Sequence, residues 1–225
     1  MEILLPILGF LIGTVAAMTG IGGGVFIVPL LTLLYAFAPA NAVGTSLTTI
    51  IFTALAATIN YSRQRRIFYK TGLILAVTTA PGAYLGAYLT SIIPAKTLGL
   101  TFGVFLIFVA FRMIINFPRP KATSKEENSS KVPVVSENTL LQAKKTVALG
   151  AALSFFGGLA SGLLGIGGGV LVVPIANLAM NMPMHVAVAT LMFTMRGTSI
   201  AGVSQHYMLS YISFQYALPL ALGDR

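Results

Sequence analysis

Two long stretches of this chain carry no charged side chain. Residues 3–62 and residues 146–195 contain no Asp, Glu, Lys or Arg. A helix needs roughly 20 apolar residues to cross the hydrocarbon core of a bilayer, and both stretches are far longer than that. Because backbone N–H and C=O groups find no water in that core, such segments fold as helices. The sequence therefore predicts an all-α polytopic membrane protein.

The composition agrees with a membrane location. The 225 residues are 56% hydrophobic and 8% charged, whereas soluble domains carry about 25% charged residues. The net charge of +9 comes mostly from residues 63–70 and 119–145, which border apolar segments. Basic clusters in such places are typical of topology signals. We therefore expect the lipid bilayer as the surroundings and no nucleic acid as a partner.

Apolar segments and turn residues divide the chain into nine predicted helices. They span residues 3–19, 25–37, 41–61, 71–93, 96–117, 144–164, 170–180, 184–205 and 213–222. A polar, charged segment separates the first five from the last four and is typical of a flexible linker. We predict a first transmembrane repeat at 1–117, a cytoplasmic polar linker at 118–143 and a second, truncated transmembrane repeat at 144–225.

An internal repeat relates the two membrane parts. Segments 19–31 and 164–176 share eight of thirteen residues, including the motif Gly-Ile-Gly-Gly-Gly-Val and a following proline. The offset of 145 residues between Gly20 and Gly165 continues along the chain and defines counterpart positions. At this offset the second copy ends where the first reaches Ala80, so helix 96–117 has no counterpart. We expect the second repeat to be C-terminally incomplete, by truncation or natively, and we do not expect full activity from this form alone.

The distribution of Lys and Arg predicts opposite membrane orientations for the two repeats. The loop 61–70 and the linker 118–143 are rich in basic residues, which mark the cytoplasmic side. The counterpart of the first loop, 205–212, has no Lys or Arg and is expected outside. Opposite orientations require residues 3–37 to cross an even number of times, as two spans or as a re-entrant hairpin. Inverted repeats with broken helices are a recurring plan of transporters.

Three consecutive glycines interrupt a helical run in each repeat. Each glycine costs about 1 kcal/mol relative to Ala inside a helix, so the triplets predict breaks. The helix that begins after a break has N–H groups without an intrahelical partner and the positive end of its dipole, which suit an anion. The alternative is that the glycines only allow close helix packing. We predict that an anionic substrate binds at Gly22, Gly23, Gly24, Gly167, Gly168 and Gly169.

Four further side chains are candidates for the same site. Arg196 is the only formal charge well inside an apolar segment, and intramembrane charge is costly enough to indicate function. It would hold the anion or, alternatively, bond to carbonyls freed at a break. The hydroxyls of Thr45, Ser46 and Thr190 would coordinate an oxyanion or else bond to a carbonyl of their own helix.

Other chemistries lack the residues that they need. No Asp or Glu lies in an apolar segment, so neither a carboxylate proton relay nor a hydrolytic triad is expected. There is no Cys, and His185 and His206 are isolated, which is typical of polar groups at the membrane interface rather than of metal ligands. We expect no metal site, no cofactor and no enzymatic activity. A coupling ion would be a proton or sodium, and a proton would travel on a histidine, on water or on the anion itself.

Several motifs together point to a family. The paired Gly-Ile-Gly-Gly-Gly-Val motifs are followed by Pro29 and Pro174, and the first repeat adds Ala-Val-Gly-Thr-Ser at 42–46, Pro-Gly at 81–82 and Gly-Ala at 86–87. In these residues the chain resembles the TauE/SafE family of sulfite exporters over most of its length except the linker. The second repeat departs from the pattern at 187–191, where Ala-Val-Ala-Thr-Leu lacks the serine.

The resemblance implies a multi-pass permease of the prokaryotic cytoplasmic (inner) membrane. The expected function is secondary transport, in the export direction, of a small sulfur-containing anion such as sulfite or an organosulfonate. One alternative is a membrane scaffold or assembly protein that transports nothing, and another is a passive anion channel. The oligomeric state is open at this stage.

Overall fold

A computed structural model describes residues 4–115, 144–178, 180 and 182–223. These residues form nine α-helices and no strand: α1 Leu4–Thr19, α2 Gly24–Pro29, α3 Pro39–Arg63, α4 Tyr69–Ile92, α5 Ala95–Ile115, α6 Lys144–Leu164, α7 Gly169–Leu178, α8 Met184–Met208 and α9 Phe214–Gly223. A π-helical segment, Leu30–Leu34, extends α2. The predicted all-α fold with glycine-broken helices is confirmed. The predicted linker 118–143 lies outside the described residues.

Three helices are long and apolar enough to cross a membrane by length and composition, namely α3, α4 and α8. Shorter apolar stretches of 10 to 17 residues lie in α1, α2 with its π-helical extension, α5 and α6. Large apolar side chains such as Leu33, Ile107 and Phe111 are exposed on the outside of the bundle. An apolar exterior of this kind suits lipid rather than water.

The chain reverses direction at the second glycine break. Ser161 near the end of α6 lies beside Gly168, and Gly157, one turn earlier, lies beside Val172 in α7. Residues earlier in α6 thus pair with residues later in α7, so the two helices form an antiparallel hairpin. A hairpin with the break at its tip excludes one continuous crossing by this segment.

The first break repeats one of these contacts. Gly23 lies beside Ala16 in α1, and these two residues are the counterparts of Gly168 and Ser161 at the offset of 145. Sequence repetition is therefore matched by repetition of this contact at the break.

Each repeat packs one helix against the other repeat. In α4 of the first repeat, Gly82 and Gly86 contact carbonyl groups of α6, and in α6 of the second repeat Gly158 and Gly162 contact carbonyl groups of α4. Small residues allow this close approach of helix backbones in membranes. The counterpart contact brings α9 against α1, with Gly9 against the backbone of Leu220. The two repeats therefore share one packed core.

The long helices α3 and α8, which are counterparts, run antiparallel. Gly44 near the start of α3 lies against His206 near the end of α8, and Leu47 lies against Gly202. Because a residue later in α3 pairs with a residue earlier in α8, the two helices run in opposite directions.

Candidate functional site

The two glycine breaks have the same backbone conformation. Gly22 and Gly23 have φ values of 90° and 78°, and their counterparts Gly167 and Gly168 have φ values of 74° and 81°. Residues with a Cβ rarely adopt this left-handed region, whereas glycine adopts it readily. The predicted breaks are therefore confirmed, and the triplets explain why helices α1 and α6 stop.

The two breaks lie directly against each other. A Cβ added to Gly24 would collide with the carbonyl oxygen of Gly165, and a Cβ added to Gly169 would collide with the carbonyl oxygen of Gly20. The two contacts are exact counterparts at the offset of 145. The two breaks therefore contact each other reciprocally, each one packing against the backbone of the other repeat. Close packing thus accounts for Gly24 and Gly169 whatever else these residues do.

The start of α7 provides backbone donors at the second break. The N–H groups of Leu171 and Val172 donate to the carbonyl oxygen of Gly168. The N–H groups of Gly169 and Val170 precede them in the first turn, where an α-helix supplies no acceptor. The positive end of the helix dipole lies at the same place. This geometry favours an anion over a cation.

A small cavity borders the second break. It has a volume of about 10 Å³, and its lining consists of Thr79, Gly167, Gly168, Gly169, Val172, Leu191, Thr194, Met195 and Thr198. A space of about 10 to 15 Å³ holds a single water molecule. The cavity is therefore closed to a larger ligand in this conformation, and it lies among residues of both repeats.

Threonine hydroxyls form one wall of this cavity. The hydroxyl oxygens of Thr79 in α4 and Thr198 in α8 are 2.7 Å apart in a buried hydrogen bond. The hydroxyl of Thr194 donates to the carbonyl oxygen of Gly72 or of Thr190, each at 3.1 Å. The contact between α4 and α6 brings Thr79 to this place. Sequence reasoning missed all three threonines, although Thr194 and Thr198 match Thr49 and Thr53 at the repeat offset.

The predicted hydroxyl residues bond across the repeats rather than within their own helices. The backbone N–H of Ser213 donates to Thr45 Oγ1 at 3.2 Å, and the backbone N–H of Phe68 donates to Thr190 Oγ1 at 3.1 Å. These two bonds are counterparts, because both pairs are related by the offset of 145. Ser46 Oγ donates to the carbonyl oxygen of Gly165 at 2.8 Å. None of the three residues lines the cavity.

Arg196 lies apart from the cavity. Its side chain is half-buried, and the lining residues of α8 are its neighbours Leu191, Thr194, Met195 and Thr198. All five acidic residues of the chain fall outside residues 4–115, 144–178, 180 and 182–223. Within those ranges the guanidinium of Arg196 therefore has no carboxylate to pair with.

The expectation for His206 is wrong, and that for His185 agrees with its position. His185 is exposed, but His206 is completely buried. The imidazole Nε2 of His206 lies 3.4 Å from the carbonyl oxygen of Gly162, and its Cβ lies against Gly44. Tertiary packing between α6 and α8 covers this ring, and a residue near a helix end gives no local sign of that packing. Among the described residues no group of three His, Cys, Asp or Glu could hold a metal ion.

Broken helices that meet inside an apolar bundle, next to a buried wall of hydroxyls, are typical of multi-pass membrane transporters. Irregular backbone at membrane depth is tolerated where protein buries it or where it lines a cavity, and transporters use such breaks for substrates.

Comparison with known proteins gives the family. The family model described as "Sulfite exporter TauE/SafE" matches residues 5–223, and the chain belongs to this family. It is 33% identical to the "Probable membrane transporter protein YunE" of Bacillus subtilis, with 98% of this chain and 84% of the relative covered. It is 26% identical to the "Probable membrane transporter protein MJ0441" of Methanocaldococcus jannaschii, with 97% and 80% covered. No solved structure matches the chain.

Membership of this family confirms the expectation of a transporter rather than an enzyme. The relatives are membrane transporter proteins by name, and the described helices are apolar enough for a multi-pass membrane protein.

Proposed function

We propose that this protein is a secondary transporter that exports a small sulfur-containing anion such as sulfite or an organosulfonate. The observation that carries the proposal is the meeting of the two glycine breaks at the N-terminus of α7, where the first helical turn has N–H groups without an intrahelical acceptor. Two oxyanion oxygens can accept hydrogen bonds from such N–H groups without any cationic side chain. The family name supports sulfite as the anion to test first.

The proposed site lies at the bilayer midplane in the prokaryotic cytoplasmic membrane. Support comes from the reciprocal contacts of Gly24 with Gly165 and of Gly169 with Gly20, because a two-fold relation between the repeats would put such contacts next to its axis. If the repeats have opposite orientations, that axis lies in the membrane plane. The helix α7 has ten residues, about 15 Å at 1.5 Å per residue. That length is half of the roughly 30 Å hydrocarbon core.

Opposite orientations of the repeats are supported by the helix directions. The counterpart helices α3 and α8 run antiparallel, and each is long enough to cross the membrane. Exposed Arg63, Arg65, Arg66 and Lys70 collect at the end of α3, beside the start of α8. The positive-inside rule puts that end in the cytoplasm. The uncharged turn after α8 then faces outside.

The predicted side chains have different parts in this proposal. The glycine triplets supply the backbone contacts, and Arg196 supplies a positive charge within α8 that raises the local concentration of the anion. Thr45, Ser46 and Thr190 act by holding the two repeats together around the site. A proton or sodium serves as the coupling ion.

Anion flux into proteoliposomes tests the proposal. We expect saturable sulfite uptake that depends on a proton or sodium gradient, and a loss of at least tenfold in Gly23→Leu and Gly168→Leu, about 1.4 kcal/mol. Gly103→Leu is the matched control, because nothing among the described residues lies within 4 Å of a Cβ there. Monodisperse elution verifies that each variant is folded. Unchanged flux in both folded break variants would favour the scaffold, and flux that neither saturates nor needs a gradient would favour the channel.

A further inference from the structure

Five buried side chains leave a polar atom without a hydrogen-bond partner in the described part of the chain. The atoms are Ser154 Oγ, Ser161 Oγ, Ser199 Oγ, Gln205 Oε1 and His206 Nδ1. Each side chain is at most 7% exposed. A buried polar group without a partner costs about 1 to 3 kcal/mol, so groups of this kind are rare and call for an explanation.

All five belong to the second repeat. At the offset of 145 their counterparts in the first repeat are Gly9, Ala16, Ala54, Asn60 and Tyr61. Three of these have no polar side-chain atom. Asn60 is exposed, and Tyr61 donates to the carbonyl oxygen of Ala17 at 2.9 Å. Buried polar atoms without a hydrogen-bond partner therefore occur in the second repeat and not at the counterpart positions of the first. Helix packing that is common to both repeats does not explain this difference.

The unpartnered groups on α8 are aligned along the helix. Ser199 and His206 are seven residues apart, which is two helical turns, and therefore lie on the same face. The separation along the axis is about 10 Å. Gln205 lies on the same face of α8 as Thr198, which is seven residues earlier and lines the cavity at the second break.

The unpartnered polar groups lie between the second break and the surface at the end of α8. Ser161 Oγ lies 3.7 Å from the Cβ position of Gly168 in the second break, and the next residue, Gly162, is the partner of His206. Directly after His206, an open pocket of about 470 Å³ is lined by Tyr207, Met208, Ser210 and Ile212. Polar groups thus extend from the second break to the turn after α8.

We infer that a small hydrated oxyanion passes along polar side chains of the second repeat, those of Ser161, Ser199, Gln205 and His206, between the second break and the pocket after α8. The inference rests on the proposed function and adds the route to it. The serine hydroxyls donate to the anion oxygens, and the amide oxygen of Gln205 and Nδ1 of His206, whose Nε2 faces the Gly162 carbonyl, accept hydrogen bonds from its water. The described residues of the first repeat form no such row at the counterpart positions.

Cysteine accessibility tests the route, since the native chain has no Cys. We compare Ser199→Cys with Ala54→Cys, and Ser161→Cys with Ala16→Cys, because each pair occupies counterpart positions. A buried thiol without solvent is inert, whereas a solvated one reacts as the thiolate. In proteoliposomes we expect a small anionic methanethiosulfonate to modify each cysteine of the second repeat at least ~10-fold faster than its counterpart. Flux of an organosulfonate, which unlike sulfite does not cleave the mixed disulfide, should slow after modification, and the same organosulfonate should protect each cysteine from the reagent.

Equal labelling rates within both pairs would overturn the route. Ser161→Ala and Ser199→Ala give a second measurement: the route requires lower sulfite flux, whereas a merely structural hydroxyl without a partner would leave flux unchanged and the melting temperature the same or higher. The outcomes separate the two proposals. Break-sensitive sulfite flux with equal labelling rejects the route only, whereas the absence of any anion flux rejects the proposed function and the route with it.

Discussion

Ser46 in the first repeat donates a buried hydrogen bond of 2.8 Å to the carbonyl oxygen of Gly165, at the second glycine break. The counterpart of Ser46 in α8 is Leu191, so the bond occurs once and not twice. It ties α3 to the tip of the α6–α7 hairpin, where the two repeats meet.

Replacing this serine should weaken the protein as a whole. Ser46→Ala leaves the Gly165 carbonyl without its donor, and we expect a loss of about 1 to 2 kcal/mol in the free energy of unfolding. Thermal or denaturant unfolding in detergent measures it. Ser91→Ala is the control, because the exposed Ser91 hydroxyl only donates to the carbonyl oxygen of Tyr88 in its own helix. Equal stability of the two variants would contradict the role of the Ser46 bond.

Glycines at the contact of the breaks should tolerate no side chain. Gly24→Ala and Gly169→Ala place a methyl group against a backbone carbonyl of the other repeat, and a backbone cannot move aside as a flexible side chain can. We expect a loss of at least ~1 to 3 kcal/mol, the usual cost of overpacking. Gly99→Ala and Gly103→Ala in α5 should be neutral or slightly stabilising, because both positions open onto free space and Ala favours a helix by about 1 kcal/mol. Melting temperatures that fall by the same amount in both sets would disprove this assignment.

The pair formed by Thr79 and Thr198 should be energetically coupled. Valine has nearly the shape of threonine without the hydroxyl, so Thr79→Val, Thr198→Val and the double variant form a mutant cycle. We expect a coupling energy of about 0.5 to 1.5 kcal/mol in stability from the 2.7 Å bond. Thr101→Val combined with Thr198→Val should give additive effects, because Thr101 is exposed and bonds only to Thr97 in its own helix. Additivity in the Thr79 cycle would mean that the pair contributes nothing.

The two ends of the α3 and α8 pair should lie on opposite sides of the membrane. A membrane-impermeant thiol reagent added to intact cells should label Ser210→Cys and should reach Gln64→Cys only after the membrane is made permeable. The physical reason is the contrast between the basic loop at 61–70 and the uncharged turn 205–212. Labelling of Ser210→Cys from the cytoplasm alone would refute the proposed orientation.

Local composition predicted the helices and the breaks well, because three consecutive glycines and long uncharged runs leave few alternatives. The contacts between repeats were not predictable in this way. Thr79 reaches the second break only because glycines in α4 and α6 let those two helices approach closely. A threonine alone gives no sign of this, since its hydroxyl commonly bonds to a carbonyl of its own helix. The burial of His206 depends on the same long-range packing.

The exchange of helices between the repeats also bears on how the protein is made. The face of α4 that carries Gly82 and Gly86 is completed only by α6, which follows it across the 118–143 segment and is therefore synthesised later. Until α6 has been synthesised and inserted, the glycine-lined face of α4 is therefore exposed to lipid or to an insertion factor. Packing of α4 can be completed only after the second repeat has been synthesised. An error in synthesis beyond residue 143 should therefore prevent both repeats from folding.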